Sequence, residues 1–300
     1  MTDSAIANRD RSGRFSSRLW SCIRWDEVLV LQGAPLIGTI FSIGTWTAGK
    51  MLVLASFAIA SCCLVAHVYV LNDWSGIHGD LRDPNRAARS FTTKGVSRTE
   101  LGWLAAALLA TSLLLFALVG KMALVLAVAI AILSALYSAP LVHMKGVPFF
   151  NSLLHFIGGA LHFLLGYAAF AALDARGVAI GCFFALVFTA GHLTHEARDC
   201  ESDLVNGIRT NAVVFGRRPN FFVGFSLFTA AYALLVALAA FGLVPRILVL
   251  AALLYPVHLF ASLRAIRAGL DFESLSRLQR CYRALYAIIG LMMVVTSLLA

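Results

Sequence analysis

LVAHVYVLNDWSGIHGD, residues 64–80, passes from almost wholly apolar side chains into an amide, two carboxylates and two glycines. The apolar run that feeds it, residues 51–71, is long enough to cross a bilayer, since a spanning helix takes about 20 residues. Asn72, Asp73 and Asp80 therefore stand at the end of a membrane helix. Asp73 and Asp80 are two helical turns apart, and Gly76 occupies the position between them on that face.

The rest of the chain agrees with a membrane setting. Its 300 residues are 60% hydrophobic and only 13% charged, with a mean hydropathy of +0.84. Soluble domains run near about 45–50% apolar and 25% charged. Nine apolar runs, at 28–47, 51–71, 101–119, 121–140, 150–172, 177–197, 220–243, 246–265 and 283–299, predict nine transmembrane helices in one all-α bundle. Pro35, Pro140 and Pro256 lie in or beside these runs and predict kinks. Residues 1–25 form a basic tail, and 26–300 a single membrane-embedded domain. The tail is polar and precedes a run long enough to span, so it does not read as a cleaved signal. Six cysteines without CxxC spacing read as small packing residues.

Of the 24 basic residues, twenty fall on alternate connections that include the N-terminus. Lys50, Lys121, Arg176 and Arg246 are the exceptions. The positive-inside rule then puts the N-terminus in the cytoplasm and, with nine spans, the C-terminus outside. The expected location is the bacterial cytoplasmic (inner) membrane. Among the acids, Asp174 alone lies on the outer side.

A second acidic cluster, HEARDCESD at 195–203, closes the sixth run. Shifted by 123 positions, Asp73 falls on Glu196, Gly76 on Asp199 and Asp80 on Asp203. The two motifs end spans four apart, which predicts two parallel four-helix halves plus a ninth helix, with the site between the halves. On a helix, Glu196, Asp199 and Asp203 share one stripe, as do Asp73 and Asp80 with Asn72 beside it. Facing stripes of carboxylates call for cations. Carboxylate oxygens with water and substrate phosphates suit magnesium, and Arg89, Lys94, Lys145, Arg198 and Arg209 just beyond suit a diphosphate. His195, at the edge of the second stripe, is placed to take a proton from an acceptor. His67, His155, His162 and His258 lie in apolar runs and read as packing or interhelical hydrogen-bonding groups.

At these residues the sequence resembles the UbiA superfamily of intramembrane prenyltransferases. That family carries NDxxDxxxD after its second helix and DxxxD or DxxxDxxxD after its sixth. The tail NGIRTNAVVFG, residues 206–216, is similar to the family's GxRTxAVxxG stretch, and LYSAPLVHMK, 136–145, to its YSxP…LK segment. The resemblance implies magnesium-dependent transfer of an isoprenyl group from a polyprenyl diphosphate to a small-molecule or lipid acceptor, aromatic or quinone-type by default. It implies one magnesium at Asn72, Asp73 and Asp80, and another at Asp199 and Asp203 with Glu196 as a substitute first acid. The partners it implies are a prenyl diphosphate donor, the acceptor and membrane lipid, with no nucleic acid.

Two departures stand out. Gly76 replaces the middle acid of the first motif, and Ser90 stands where proline is usual. Ser75 and His78 are the nearest substitutes, yet neither shares the face of Gly76. Competing readings are a cation-coupled transporter, whose acids belong near the midplane, and a catalytically degenerate family member, motivated by Gly76. A CDP-alcohol phosphotransferase is disfavoured because its DGxxAR pattern is absent.

Overall fold

The computed structural model describes residues 17–81, 90–140, 142 and 144–299, and within them all side chains but those of His78 and Asp80. Every regular element among the described residues is helical. In chain order these are α1 (Trp25–Leu31), α2 (Gly33–Ser42), α3 (Ala48–Asp80), α4 (Arg98–Val119), α5 (Lys121–Ser138), α6 (Phe150–Tyr167), α7 (Ala175–Val205), α8 (Asn211–Phe215), α9 (Arg217–Ala240), α10 (Tyr255–Arg267) and α11 (Phe272–Leu299). A 3-10 segment, Arg246–Leu254, leads into α10.

Among the described residues, seven helices are long and apolar enough to cross a membrane, by length and composition: α3, α4, α5, α7, α9, the 3-10 segment with α10, and α11. The chain is an integral membrane protein. The two other predicted spans differ for local reasons. The run 28–47 is broken at Gln32, because the ring of Pro35 excludes the carbonyl four residues back and Pro35 has no N–H to offer it. Gln32 is buried at the break and bonded at both ends of its amide: its Nε2 donates to Val28 O (3.1 Å) and its Oε1 accepts from Ser61 (2.6 Å) on α3. The second, α6, carries Asn151, His155 and His162 within 18 residues. Pro256 sits where the 3-10 segment becomes α-helix, and α5 ends just before Pro140.

Three of the long helices start at side-chain caps. Thr47 accepts from Lys50 N at α3, Ser97 and Glu100 form a capping box at α4, and Asp174 accepts from Gly177 N (2.7 Å) at α7. Asp174, the lone acid of its side in the sequence, is thus an N-cap that also accepts from the Tyr167 hydroxyl.

Packing runs α3 on α4, α5 on both α4 and α6, α6 on α7, and α7 on α9, with α11 closing onto α2 and α7. A very close approach joins α2 to α6. A Cβ on Gly38 would lie 2.2 Å from Phe163 O, and one on Gly166 only 1.8 Å from Pro35 O. Backbone meets backbone there, which only glycine permits. The core beside this crossing is apolar, with Phe57, Phe116, Phe163 and Phe183 almost fully buried.

The helices that bear the two motifs outlast their apolar runs. α3 continues to Asp80 and α7 to Val205, so both acidic stretches are helical. α11 likewise starts at Phe272, eleven residues before the apolar run at 283–299, with Arg277, Arg280 and Arg283 inside it.

Candidate active site

The ends of α3 and α7 meet. A Cβ on Gly79 would touch the Asn206 side chain at 3.7 Å. Asn206 is the C-cap of α7 and follows the second motif by three residues, and Gly79 is the neighbour of Asp80. The two acid-bearing helix ends are therefore brought to one place. Asp80's side chain and all of Arg89 lie outside the described residues.

Asp73 is mostly buried, and both its oxygens accept from Arg24, at 3.1 Å for Nε to Oδ2. Asn72 is half-buried beside it. Ser75, one candidate to replace the missing acid, donates its hydroxyl to Ser138 O at the end of α5.

On α7, Asp199 takes two bonds from Arg198, Nε to Oδ1 at 2.7 Å and Nη2 to Oδ2 at 3.0 Å. The same guanidinium donates to Gln279 on α11 and lies over the ring of Phe272, 5.6 Å from its centroid. Arg198 is thereby a fixed arm holding Asp199 in one orientation. Asp203 is buried, while Glu201 points out and pairs with Arg217 at 2.8 Å. His195 stands within electrostatic reach of Arg198, Asp199 and Arg283.

Glu196 has a different setting from its stripe neighbours. It is 4% exposed, and its oxygens accept from Asn151 Nδ2 on α6 and from Asn211 Nδ2 (3.0 Å) on α8. His192 Nε2 lies 3.2 Å away, and its ring stacks on His155 at 3.6 Å. Asn211 also donates to Asn151 and accepts from Phe149 N. The carboxylate is the hub of a net that ties α6, α7 and α8 together. Glu196→Ala is expected to cost about 1.5–3 kcal/mol, the worth of hydrogen bonds to a charged group. Glu196→Gln, which keeps one acceptor oxygen, should cost less; thermal unfolding in detergent reads both.

Of the cations expected near a diphosphate, Lys94 donates to Ser21 O in the segment before α1. Burial pushes the Cys22 thiol up in pKa, while Lys94 draws it down and Asp73 raises it further, which places both charges around that one sulfur. Lys145 is half-buried in a 3-10 turn whose carbonyl accepts from Asn151 (3.3 Å). Arg209 is exposed in the loop before α8.

The sequence reading passed over Arg24, Asn151, Asn211 and Gln279 as site components. Arg24 was counted only as part of a basic tail. Asn151 had a signal, an amide inside a membrane run, to which the rule for polar residues in spans applies. Glu27 and Arg283, paired at 2.9 Å, join α1 to α11 beside the same cluster.

The donor set of the two motifs is oxygen only, Asn72 and Asp73 from one helix with Asp199 and Asp203 from the other, and suits a hard divalent cation. Glu196 fits less well, since its carboxylate is buried and held by two buried amides from α6 and α8. Among the described residues, no three His, Cys, Asp or Glu side chains converge closely enough to hold a metal ion.

Fold and site together define an all-helical intramembrane bundle with paired acidic motifs at one end. Comparison with known proteins names the class. A sequence model of the UbiA prenyltransferase family matches residues 35–275, and the chain belongs to that family. A UbiA homolog from Archaeoglobus fulgidus bound to GPP and magnesium superposes with a TM-score of 0.73 at 16% identity, covering 92% of this chain and 99% of that one. A digeranylgeranylglyceryl phosphate synthase gives 0.73 at 18% identity over 95% and 99%. The apo UbiA homolog from Aeropyrum pernix K1 gives 0.71 at 19% identity over 91% and 98%. At these identities the likeness is one of fold. No curated protein matches the chain in sequence.

Proposed function

We propose that this protein transfers an isoprenyl group from a polyprenyl diphosphate to an acceptor within the membrane. The observation that carries this reading is the meeting of the α3 and α7 ends at Gly79 and Asn206, in a chain of the UbiA family. The Archaeoglobus relatives bound to GPP and to DMAPP with magnesium support a prenyl diphosphate donor. An aromatic or quinone-type acceptor is the working choice.

Asn72, Asp73 and Asp80 from α3, and Asp199 and Asp203 from α7, would hold magnesium. When bound, magnesium would neutralise charge on the diphosphate leaving group. Glu196 we assign to anchoring α7 rather than to the ion. Arg89, Lys94, Lys145, Arg198 and Arg209 are the diphosphate-facing cations in this reading. Arg24 and Arg198 pair with Asp73 and Asp199, so magnesium would have to displace these guanidinium groups to reach the carboxylate oxygens. His195 would accept the acceptor's proton. The apolar bundle would shelter the tail and keep water from the allylic carbon. We place the N-terminus in the cytoplasm and the C-terminus outside, with nine crossings in two four-helix halves plus one, α1–α2 and α6 supplying the two that composition alone does not reach.

The test is direct. Purified protein is incubated with magnesium, radiolabelled prenyl diphosphates of several lengths and a panel of acceptors. Product with magnesium and none with EDTA is expected. Neither turnover nor diphosphate binding with any donor would overturn the reading, and binding without turnover would mark a degenerate member. Gly76→Asp restores the acid missing from the first motif and is expected to lower the magnesium concentration for half-maximal diphosphate binding by about 10-fold, the scale on which groups around a metal change its affinity. An unchanged titration would show that position 76 does not face the metal.

A further inference from the structure

Three helices bring buried polar side chains together, and none of their polar atoms has a partner among the described residues. His258 on α10 is fully buried, and neither of its ring nitrogens is hydrogen-bonded. Ser262, one turn along the same face, is 1% exposed with an unpaired Oγ. α11 contributes Tyr282 and Tyr286, again one turn apart, and α9 contributes Tyr232. All three phenol oxygens are buried and unpaired. The His258 ring centroid lies 5.9 Å from Tyr232, 6.1 Å from Tyr282 and 6.2 Å from Tyr286, with Phe228 as the wall at 4.6 Å.

Several other buried polar side chains do find partners, and the unpaired atoms elsewhere do not gather in a group around one ring. His67 reaches Ala105 O on α4 at 2.8 Å, Asn220 donates to Leu193 O at 2.7 Å, and Gln32 and Glu196 are bonded as described. Leaving a donor or acceptor unmet in an apolar interior is costly, and inside a bilayer no bulk solvent reaches it. Internal water is the common remedy, each molecule typically bridging about three otherwise unpaired groups. The nest suits water in particular. A hydroxyl both donates and accepts, and neutral imidazole offers one of each. None of the five side chains is an acid, a lysine or an arginine, so nothing in the set balances an ion.

We propose that His258, Ser262, Tyr232, Tyr282 and Tyr286 enclose an internal water-binding site that joins α9, α10 and α11 behind the second acidic motif. Tyr282 ties it to that motif. Its hydroxyl lies 3.7 Å from where a Cβ on Gly191 would stand, one turn before His195 on α7. Gln279, one turn before Tyr282 on α11, holds Arg198.

X-ray radiolysis in 18O-labelled water tests this on the intact wild-type protein, because radicals formed from bound water oxidise the side chains around it. The expected result is 18O incorporation at Tyr282, Tyr286, Tyr232 and His258 at rates comparable to exposed Phe272. Phe57 and Phe116, buried in the apolar core, supply the dry background, and labelling of the nest at that background would overturn the proposal. Removing single hydroxyls gives an independent reading with an opposite sign for each case. Tyr286→Phe and Ser262→Ala lower the melting temperature if the hydroxyl bonds water. If it bonds nothing, its removal leaves the temperature unchanged or raises it, and that result also overturns the proposal.

Discussion

Asp199→Ala is expected to slow prenyl transfer by about 100- to 1000-fold, the loss typical of removing one group that stabilises developing charge. Two effects add. The substitution removes an oxygen donor assigned to magnesium, and it releases Arg198 from its two bonds to the carboxylate. Freed on that side, the guanidinium keeps Gln279 and the Phe272 ring as its partners. The matched control is Glu201→Ala two residues further along α7, where the side chain is 83% exposed and paired only at the surface. Turnover of both variants across a magnesium titration decides the matter. If Asp199→Ala and Glu201→Ala turn over alike, Asp199 has no part in the reaction.

Gly166→Ala is expected to destabilise the protein by about 3 kcal/mol or more, at the upper end of overpacking costs. The new methyl would stand 1.8 Å from Pro35 O and 3.0 Å from Thr39 N. Both are backbone atoms of α2, so no rotamer change makes room. Gly158→Ala, two turns earlier on the same helix, is the control, since a Cβ there meets nothing within 4 Å. It should be neutral or gain up to about 1 kcal/mol from the better helix propensity of alanine. Thermal unfolding in detergent separates the two, and equal melting temperatures would mean that α2 and α6 do not cross as described.

Much of this was readable from residues alone, because hydropathy and charge act locally. Apolar runs about as long as a bilayer core is thick marked where α3, α4, α5, α7 and α9 would lie. The acidic patterns at 72–80 and 195–203 marked the ends that meet, since helical spacing is written along one strand of sequence. What escaped was set by contacts between distant segments. Glu196 belongs to the same stripe as Asp199, yet Asn151 and Asn211, 45 and 15 residues away, draw its carboxylate into their own net. Nothing in the local spacing of Glu196 announces either amide. The early start of α11 escaped for a related reason. Its first turns carry arginines that read as a loop, until one of them pairs with Glu27 and the neighbouring Gln279 with Arg198.

The pairing of Glu27 with Arg283 spans 256 residues of chain. It has a consequence for synthesis, which proceeds from the N-terminus. A nascent chain that has reached residue 271 already contains both acidic motifs, but neither Gln279 nor Arg283. Arg198 then lacks its amide partner and α1 lacks the counter-charge that joins it to α11. α11, made after every proposed ligand, supplies the supports around Asp199, so a stop before Gln279 would spare all of those ligands and remove both supports.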